Sequence, residues 1–376
     1  MMLQSLHLEG LKSIKEMQLE LKALNVLIGA NGAGKSNLIS FFRLLNYMMS
    51  GNLQGYVGLQ GGADSLLHYG SKETPRIKAE LIFKTAAGLH SYDFQLAAAV
   101  NDTLIFTEEL VGLTNLNNRE KLHKVSLDAG HKESELLSYE EVLQWGHNKL
   151  PQSKAPIHAI LESWRVYHFH DTSAEAKVKK QGYLEDNQYL RDDAGNLAAF
   201  LYAMKKTHLK HYRRIIQVLQ QVAPFFGDFV LEPSRLNSRY ITLNWKERDT
   251  GKDTIFGPHQ LSDGTLRMAA LLTLLLQPQL PELIVVDEPE LGLHPYALGV
   301  LASLLQSVSQ KTQLLVSTQS AALLNYLEPQ DVIVVDRENG QSVFRRLDEQ
   351  SLVQWLEEYS LGELWDKNVF GGRPAR

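Results

Sequence analysis

Apolar and polar residues alternate over residues 3–28, in the runs LQSLHLEG, MQLELK and NVLIG, and this period of two predicts short half-buried strands. The period changes at Lys35. From there to Met48 the apolar residues fall at Leu38, Phe41, Phe42 and Leu45, one face of a helix, so the chain opens as strand, glycine turn, helix. Residues 76–112 are rich in β-formers with polar turns between them, the pattern of an antiparallel meander. Residues 115–156 are polar and irregular. Residues 196–222 predict a long amphipathic helix or helix pair without sustained heptads. From Leu261 the periods alternate: a helix to Leu276, the strand ELIVVDE, a helix from Tyr296, the strand QLLVST, the helix SAALLNYL and the strand DVIVVD. That alternation predicts α/β architecture with a parallel sheet. No internal repeat and no flexible linker interrupts the pattern, which favours one composite unit.

Composition narrows the chemistry. A chain of 376 residues, 44% hydrophobic and 22% charged, can bury a large core. Its net charge of −5 supplies no global positive field, so any contact with nucleic acid has to be local. There is no cysteine, which removes disulfides, thiolate metal sites and cysteine nucleophiles. The N-terminal residues alternate and lack the basic flank, apolar run and small-residue cleavage site of a signal peptide. The greasiest run, Met268 to Leu276, is about half the length of a membrane span. A cytoplasmic protein with no membrane segment is expected.

The turn after NVLIG carries the first candidate chemistry. Gly29, Gly34, Lys35 and Ser36 match G-x-x-x-x-G-K-[ST], in which glycines let backbone N–H groups point at phosphates at a helix N-terminus. Lys35 supplies a point charge and Ser36 a hydroxyl for Mg²⁺. Downstream, Leu283 to Val286 read as a buried central strand, and Asp287 and Glu288 emerge at its carboxyl end, where ligands bind in open α/β sheets. Asp287 is then the candidate Mg²⁺ residue, and Glu288 the candidate for polarising a water attacking the γ-phosphate. A third element, LSDGTLRMAALLTLLL, starts at Leu261 with Ser262 or Asp263 as N-cap; it reads either as an ordinary capped core helix or as a second phosphate-binding terminus.

In this order, LEGLKSI, GANGAGKSN, LSDGT, LIVVDEPELGLHP and LLVSTQS resemble the ABC-type ATPases of the RecF/SMC/OLD branch, above all its stand-alone bacterial members. RVYHFHDTS and the C-terminal NVFGGRP are similar to that group as well. The resemblance implies a P-loop ABC-type head with an antiparallel β-lobe and a short helical insertion. It implies an N-terminal half-head with the β-lobe over residues 1–170, a helical insertion or lid over 171–255, and a C-terminal half-head over 256–376. ATP and Mg²⁺ are the implied cofactors, with Gly29, Ala30, Asn31, Gly32, Ala33, Gly34, Lys35, Ser36 and Asn37 on the nucleotide. Ser262, Asp263 and Gly264 would be the signature that touches the γ-phosphate of the opposite subunit, so that two ATP molecules sit in a homodimer. Glu290 to His294 would be the D-loop. Ser36 and Asp287 would hold the metal; Glu288, Lys35 and Gln319 would be catalytic. Gln319 stands where many ABC ATPases carry a switch histidine, and an amide donates a hydrogen bond without taking a proton. VYHFHDTS, with His168, His170 and Asp171, reads as a Q-loop counterpart, as surface histidines or as a metal trio.

Lys205, Lys206, Lys210, Arg213 and Arg214, with Lys177, Lys179 and Lys180 upstream, concentrate positive charge on the helical insertion. They suit a DNA backbone or an acidic partner, or form a solvated helix face. The leading expectation is an ATP hydrolase whose dimer cycle serves DNA repair or anti-phage defence and controls an effector encoded nearby. The alternatives are a nucleotide-gated scaffold with little turnover and the ATPase subunit of a transporter.

Overall fold

The alternating start folds as a hairpin. Met2–Leu11 (β1) and Ile14–Glu20 (β2) pair antiparallel with Leu6 opposite Leu19 and Leu8 opposite Met17, all four buried. Apolar pairs of this kind fix one face of the ribbon against a core. The computed structural model describes residues 2–85, 88–115, 123–137, 154–248 and 254–373. After the hairpin the chain leaves for a second sheet through Leu24–Ile28 (β3), followed by the helices Lys35–Met49 (α1), Leu53–Leu59 (α2) and Ala63–Leu66 (α3). It then returns as the expected meander: Arg76–Lys84 (β4), Gly88–Ala99 (β5), Thr103–Asn115 (β6) and His123–Ser126 (β7). The first sheet runs β2-β1-β4-β5-β6-β7, every pair antiparallel.

Lys154–Ser163 (α4) and Arg165–Tyr167 (β8) follow. A smaller region comes next, with Gly182–Tyr183 (β9), Leu197–Thr207 (α5), Leu209–Val222 (α6), Phe226–Val230 (β10), Tyr240–Ile241 (β11) and Asn244–Glu247 (β12). Here β10 pairs with β12 and β9 with β11. The alternating C-terminal part holds Asp263–Leu276 (α7), Leu283–Asp287 (β13), Pro295–Ser309 (α8), Gln313–Thr318 (β14), Ala321–Leu324 (α9), Val332–Glu338 (β15), Gln341–Arg346 (β16), Glu349–Leu356 (α10) and Leu361–Asp366 (α11).

The second sheet runs β16-β15-β3-β14-β13-β8, parallel throughout except for β16. It is buried on both faces, which explains why its strands are continuous apolar runs. Strand period divides their side chains between two cores. Val26, Ile28, Ile284, Val286, Leu314, Val316, Val332 and Val334 pack with α5–α9 on one face, and Leu27, Leu283, Val285, Leu315, Ile333 and Val335 pack with α1 and the first sheet on the other. This is the α/β head with an antiparallel lobe that the sequence led us to expect.

The stretch over 196–222 takes the second of its two expected forms, a helix pair, broken at His208, whose φ of −133° and ψ of 52° lie outside the helical region. Two local features differ from the pattern reading. Within 115–156, read as irregular, the chain forms β7 and enters α4; residues 116–122 and 138–153 lie outside the described residues. RVY of RVYHFHDTS is an edge strand of the parallel sheet, paired in register with Ile284–Val286.

Candidate functional site

β3 is buried at all five positions and ends at Ile28, so the chain must turn at the sheet's carboxyl edge before α1 begins at Lys35. Gly34 makes the turn with φ of 122°, and a Cβ there would stand 1.9 Å from Ser342 Oγ, so only glycine fits. Ser342 Oγ lies 2.6 Å from Ser13 Oγ and donates to the Ala33 carbonyl, and Asn37 Nδ2 donates to Ser13 Oγ. Both sheets therefore grip the loop. Lys35 is 5% exposed; its ammonium curls back and donates to the Gly29 carbonyl at 2.5 Å and the Ala30 carbonyl at 3.1 Å. Asn31, Gly32 and Ser36 are exposed.

The acidic pair leaves β13 two strands away. Asp287 Oδ1 accepts from Ser317 Oγ at 2.6 Å, and Oδ2 stands 3.5 Å from His168 Nδ1. His170 Nε2 donates to the Asp287 carbonyl at 3.0 Å, and the two imidazole centroids are 3.7 Å apart. Glu288 sits in the left-handed region, φ 42°, ahead of Pro289, with its N–H on the Ser317 carbonyl at 2.8 Å. The Gln319 side-chain amide donates to Glu288 Oε1. Glu290, 8% exposed, accepts at Oε1 from Thr318 Oγ1 and from Gln319 N.

These groups share one field. Burial lowers the Lys35 ammonium from the ordinary lysine range, and the Glu288, Asp287 and Glu290 carboxylates oppose that shift. Burial pushes Asp287 up, but the His168 and Ser317 side chains outweigh it and hold the carboxyl below the usual range. Burial raises Glu290. His170 is lowered by burial and then by repulsion from His168. One lysine facing three carboxylates leaves negative charge that a hard divalent cation would balance, and a concave loop with a lysine and exposed backbone suits a polyphosphate. The residues present thus fit Mg²⁺ and a nucleoside triphosphate.

Ser262 caps α7, its Oγ accepting from Thr265 N at 3.2 Å. Asp263 pairs with Lys179 at 3.2 Å. Gly264 packs on the turn after the acidic pair: a Cβ would meet the Gly292 carbonyl at 2.5 Å. Arg267 joins the same parts, donating to the carbonyls of Phe169, His170 and Leu291. Among the described residues, no hydrogen bond or ion pair ties Ser262, Asp263 or Gly264 to residues 29–37. Of the basic cluster, Lys205 pairs with Asp228 at 3.1 Å, Lys206 lies 5.6 Å from the Tyr202 ring centroid, and Lys210, Arg213 and Arg214 are exposed.

Sequence reasoning passed over several participants. Arg267 looked like one more residue of an apolar helix, and Glu290 like part of a crossing loop. The C-terminal Gly371 and Gly372 lie beside the phosphate loop, where Gly372 N donates to Asp336 Oδ1 at 2.8 Å. They line a cavity of about 490 Å³ together with Ala30–Ala33 and Asp336–Glu338. The NVFGGRP run was the available signal. His168 and His170 stand beside Asp287; among the described residues no cluster of three or more metal-ligating side chains forms. No described helix is long and apolar enough to cross a membrane.

No curated protein matches the chain. Among solved structures it is similar to an SMC head bound to the C-winged helix domain of ScpA, with TM-score 0.61, 15% identity, and coverage of 94% of this chain and 99% of that one. It is also similar to the Smc head with an extended coiled coil from Pyrococcus furiosus, bound to the C-terminal domain of ScpA (TM-score 0.54, 15% identity, 95% and 98% covered). A third is the Smc head with a coiled coil and joint from Pyrococcus yayanosii (TM-score 0.51, 12% identity, 95% and 99% covered). At such identities the likeness is one of fold, the ABC-type P-loop head. Residues 131–325, just over half of the chain, match the family described as "AAA domain, putative AbiEii toxin, Type IV TA system", and the chain belongs to that family.

Proposed function

We propose that this nucleotide-binding head hydrolyses ATP and does so as an ATP-linked dimer. The observation that carries the reading is Lys35 facing Asp287, Glu288 and Glu290 across the carboxyl edge of one parallel sheet. Backbone N–H groups of residues 29–36 bind the phosphates, with Asn37 beside them, and Lys35 exchanges its two carbonyl partners for phosphate oxygens. Ser36 and Asp287 would hold Mg²⁺, which would supply charge neutralisation to the bound triphosphate. Glu288 orients the attacking water, and Gln319 holds Glu288 by its amide. Ser262, Asp263 and Gly264 close the site of a second copy. Residues 1–170 and 256–376 are read as two halves of one head and 171–255 as its helical lid; β3 lying between β14 and β15 supports that division.

The biological setting is a proposal distinct from the chemistry. The family description, a putative AbiEii toxin of a Type IV TA system, supports a paired system with a partner from a neighbouring gene; antiviral defence and DNA repair are the two settings proposed for it. The ScpA-bound SMC heads support a protein partner. The basic helix face offers DNA a local contact. A second reading, a nucleotide-gated scaffold with little turnover, is favoured by Gln319, which cannot accept a proton where a histidine could.

Calorimetry and turnover on three forms separate these readings. The wild type binds Mg·ATP and hydrolyses it; Lys35→Ala loses binding; Glu288→Gln binds but turns over about 100-fold more slowly. Unchanged affinity in Lys35→Ala rejects the site. Tight binding without wild-type turnover selects the scaffold.

A further inference from the structure

Glu288 poses a positioning problem. Its backbone is left-handed, a proline follows it, and the bond its carboxylate receives comes from Gln319, which stands where β14 leaves the sheet. A residue at a strand's exit has lost the ladder that would fix it, so something else must hold Gln319 in place. Glu290 does this from two residues beyond Glu288. One buried oxygen, Oε1, accepts from the Gln319 backbone N–H at 3.1 Å and from Thr318 Oγ1, and Thr318 Oγ1 in turn accepts from Ser320 N at 3.0 Å. The second oxygen, Oε2, is buried with no hydrogen-bond partner among the described residues.

We propose that Glu290 is a positioning residue: by clamping Thr318 and Gln319 it aims the Gln319 amide at Glu288 and so sets the geometry of the hydrolytic carboxylate. This rests on the ATPase reading for its kinetic consequence but not for its structural one. The turn is a closed relay from Glu290 to Thr318 and Gln319 to Glu288, with both ends on one short stretch of chain. A displacement of the Glu288 carboxylate by about an ångström is the scale at which a reacting geometry loses roughly 100-fold in rate. Among the described residues only Oε1 is engaged, so a glutamine at 290 can still accept both bonds through its amide oxygen, whereas a leucine can accept neither. A residue acting as acid or base would fail with either replacement.

The test uses the full chain with Glu290→Gln, Glu290→Leu, Gln319→Leu and the Glu290→Leu/Gln319→Leu double variant. Two readouts are taken: kcat and KM for Mg·ATP, and the ¹⁵N-glutamine side-chain resonances, with Gln319 assigned by its disappearance in Gln319→Leu. Glu290→Leu lowers kcat about 100-fold with KM changed only a few-fold. Glu290→Gln recovers most of that loss, and the double variant is no slower than the slower single one. The Gln319 amide resonance keeps its position in Glu290→Gln and moves in Glu290→Leu. If Glu290→Leu does not fold, Thr318→Val, which removes one of the two donors, takes its place and shifts the same resonance. Equal damage from glutamine and leucine, or a resonance and a kcat that ignore leucine, overturns the proposal. If the wild type does not hydrolyse ATP the ATPase reading fails, and the amide resonance alone then decides whether Glu290 sets Gln319.

Discussion

His170 shows what the site asks of a single side chain. Burial and the neighbouring His168 favour its neutral form, although it faces the Asp287 and Glu288 carboxylates and donates to the Asp287 carbonyl. Because its folded-state pKa is lowered, its contribution to stability is complete above the ordinary histidine range near 6.5 and is lost as pH falls through the lowered value. His170→Gln keeps an amide donor for the Asp287 carbonyl and removes the ionisable group. Urea unfolding at a series of pH values should therefore show a smaller loss of stability on acidification for the variant than for the wild type. An equal loss in both would place the titrating group elsewhere. At this scale the legible residues were those whose chemistry is local in the chain: Gly34, Lys35, Ser36, Asp287 and Glu288 announce themselves within two short runs. Arg267 did not, because its partners are fixed only by folding; a lone arginine in LSDGTLRMAALL carries no sign that it will bind the carbonyls of Phe169 and His170, and VYHFHDTS singles out His170 without disclosing its Asp287 partner.

At the scale of elements, Trp164 joins three parts that sequence patterns treat separately. It follows α4 directly, is 2% exposed, and its ring lies 5.6 Å from Phe42 of α1 and 5.9 Å from Phe83 of β4. Removing the indole leaves a cavity under the helix that carries Lys35. Trp164→Ala should cost about 3–5 kcal/mol, and denaturant titration with a loss of that size would confirm that the first sheet and α1 share one core. A loss below about 1 kcal/mol would mean that the two pack independently. Ser262→Ala tests a smaller device. It removes the cap of α7 and should cost about 1 kcal/mol in the same measurement, a structural effect to be measured before any change in dimerisation is assigned to the signature. Long, strongly periodic elements were readable: β4 to β6, α1, α7 and the buried strands β13 to β15. The three-residue β8 was not, since a strand that short has no period to detect, and its place is set by pairing with Ile284–Val286. Apolar spacing allows the helix pair over 196–222 but does not place its break at His208.

For the whole molecule, the composite-site reading predicts that Glu288→Gln, at 42.4 kDa as a monomer, rises toward twice that mass in light scattering when Mg·ATP is added, while Lys35→Ala does not respond. A mass indifferent to ATP in Glu288→Gln would reject the ATP-driven dimer. The basic face predicts something separate. Reversing Lys206, Lys210, Arg213 and Arg214 to Glu should flatten the salt dependence of any DNA affinity, the slope falling by about one for each phosphate that the protein no longer neutralises. A wild type whose DNA binding ignores salt would end that idea. The order of the parallel sheet, finally, governs when this protein can come into being. β3, which feeds the phosphate loop, pairs among the described residues with β14 and β15; the Asn25 amide already reaches a carbonyl 289 positions away. During synthesis the loop's own sequence leaves the ribosome early and waits, without either neighbour, until the strands at 313–338 have followed it. Contacts of such long range are slow to form and leave a greasy strand uncovered meanwhile. A chain interrupted before Gln313 would carry every residue of GANGAGKSN and still lack both strands that flank β3, so the loop's sequence comes long before the sheet that shapes it.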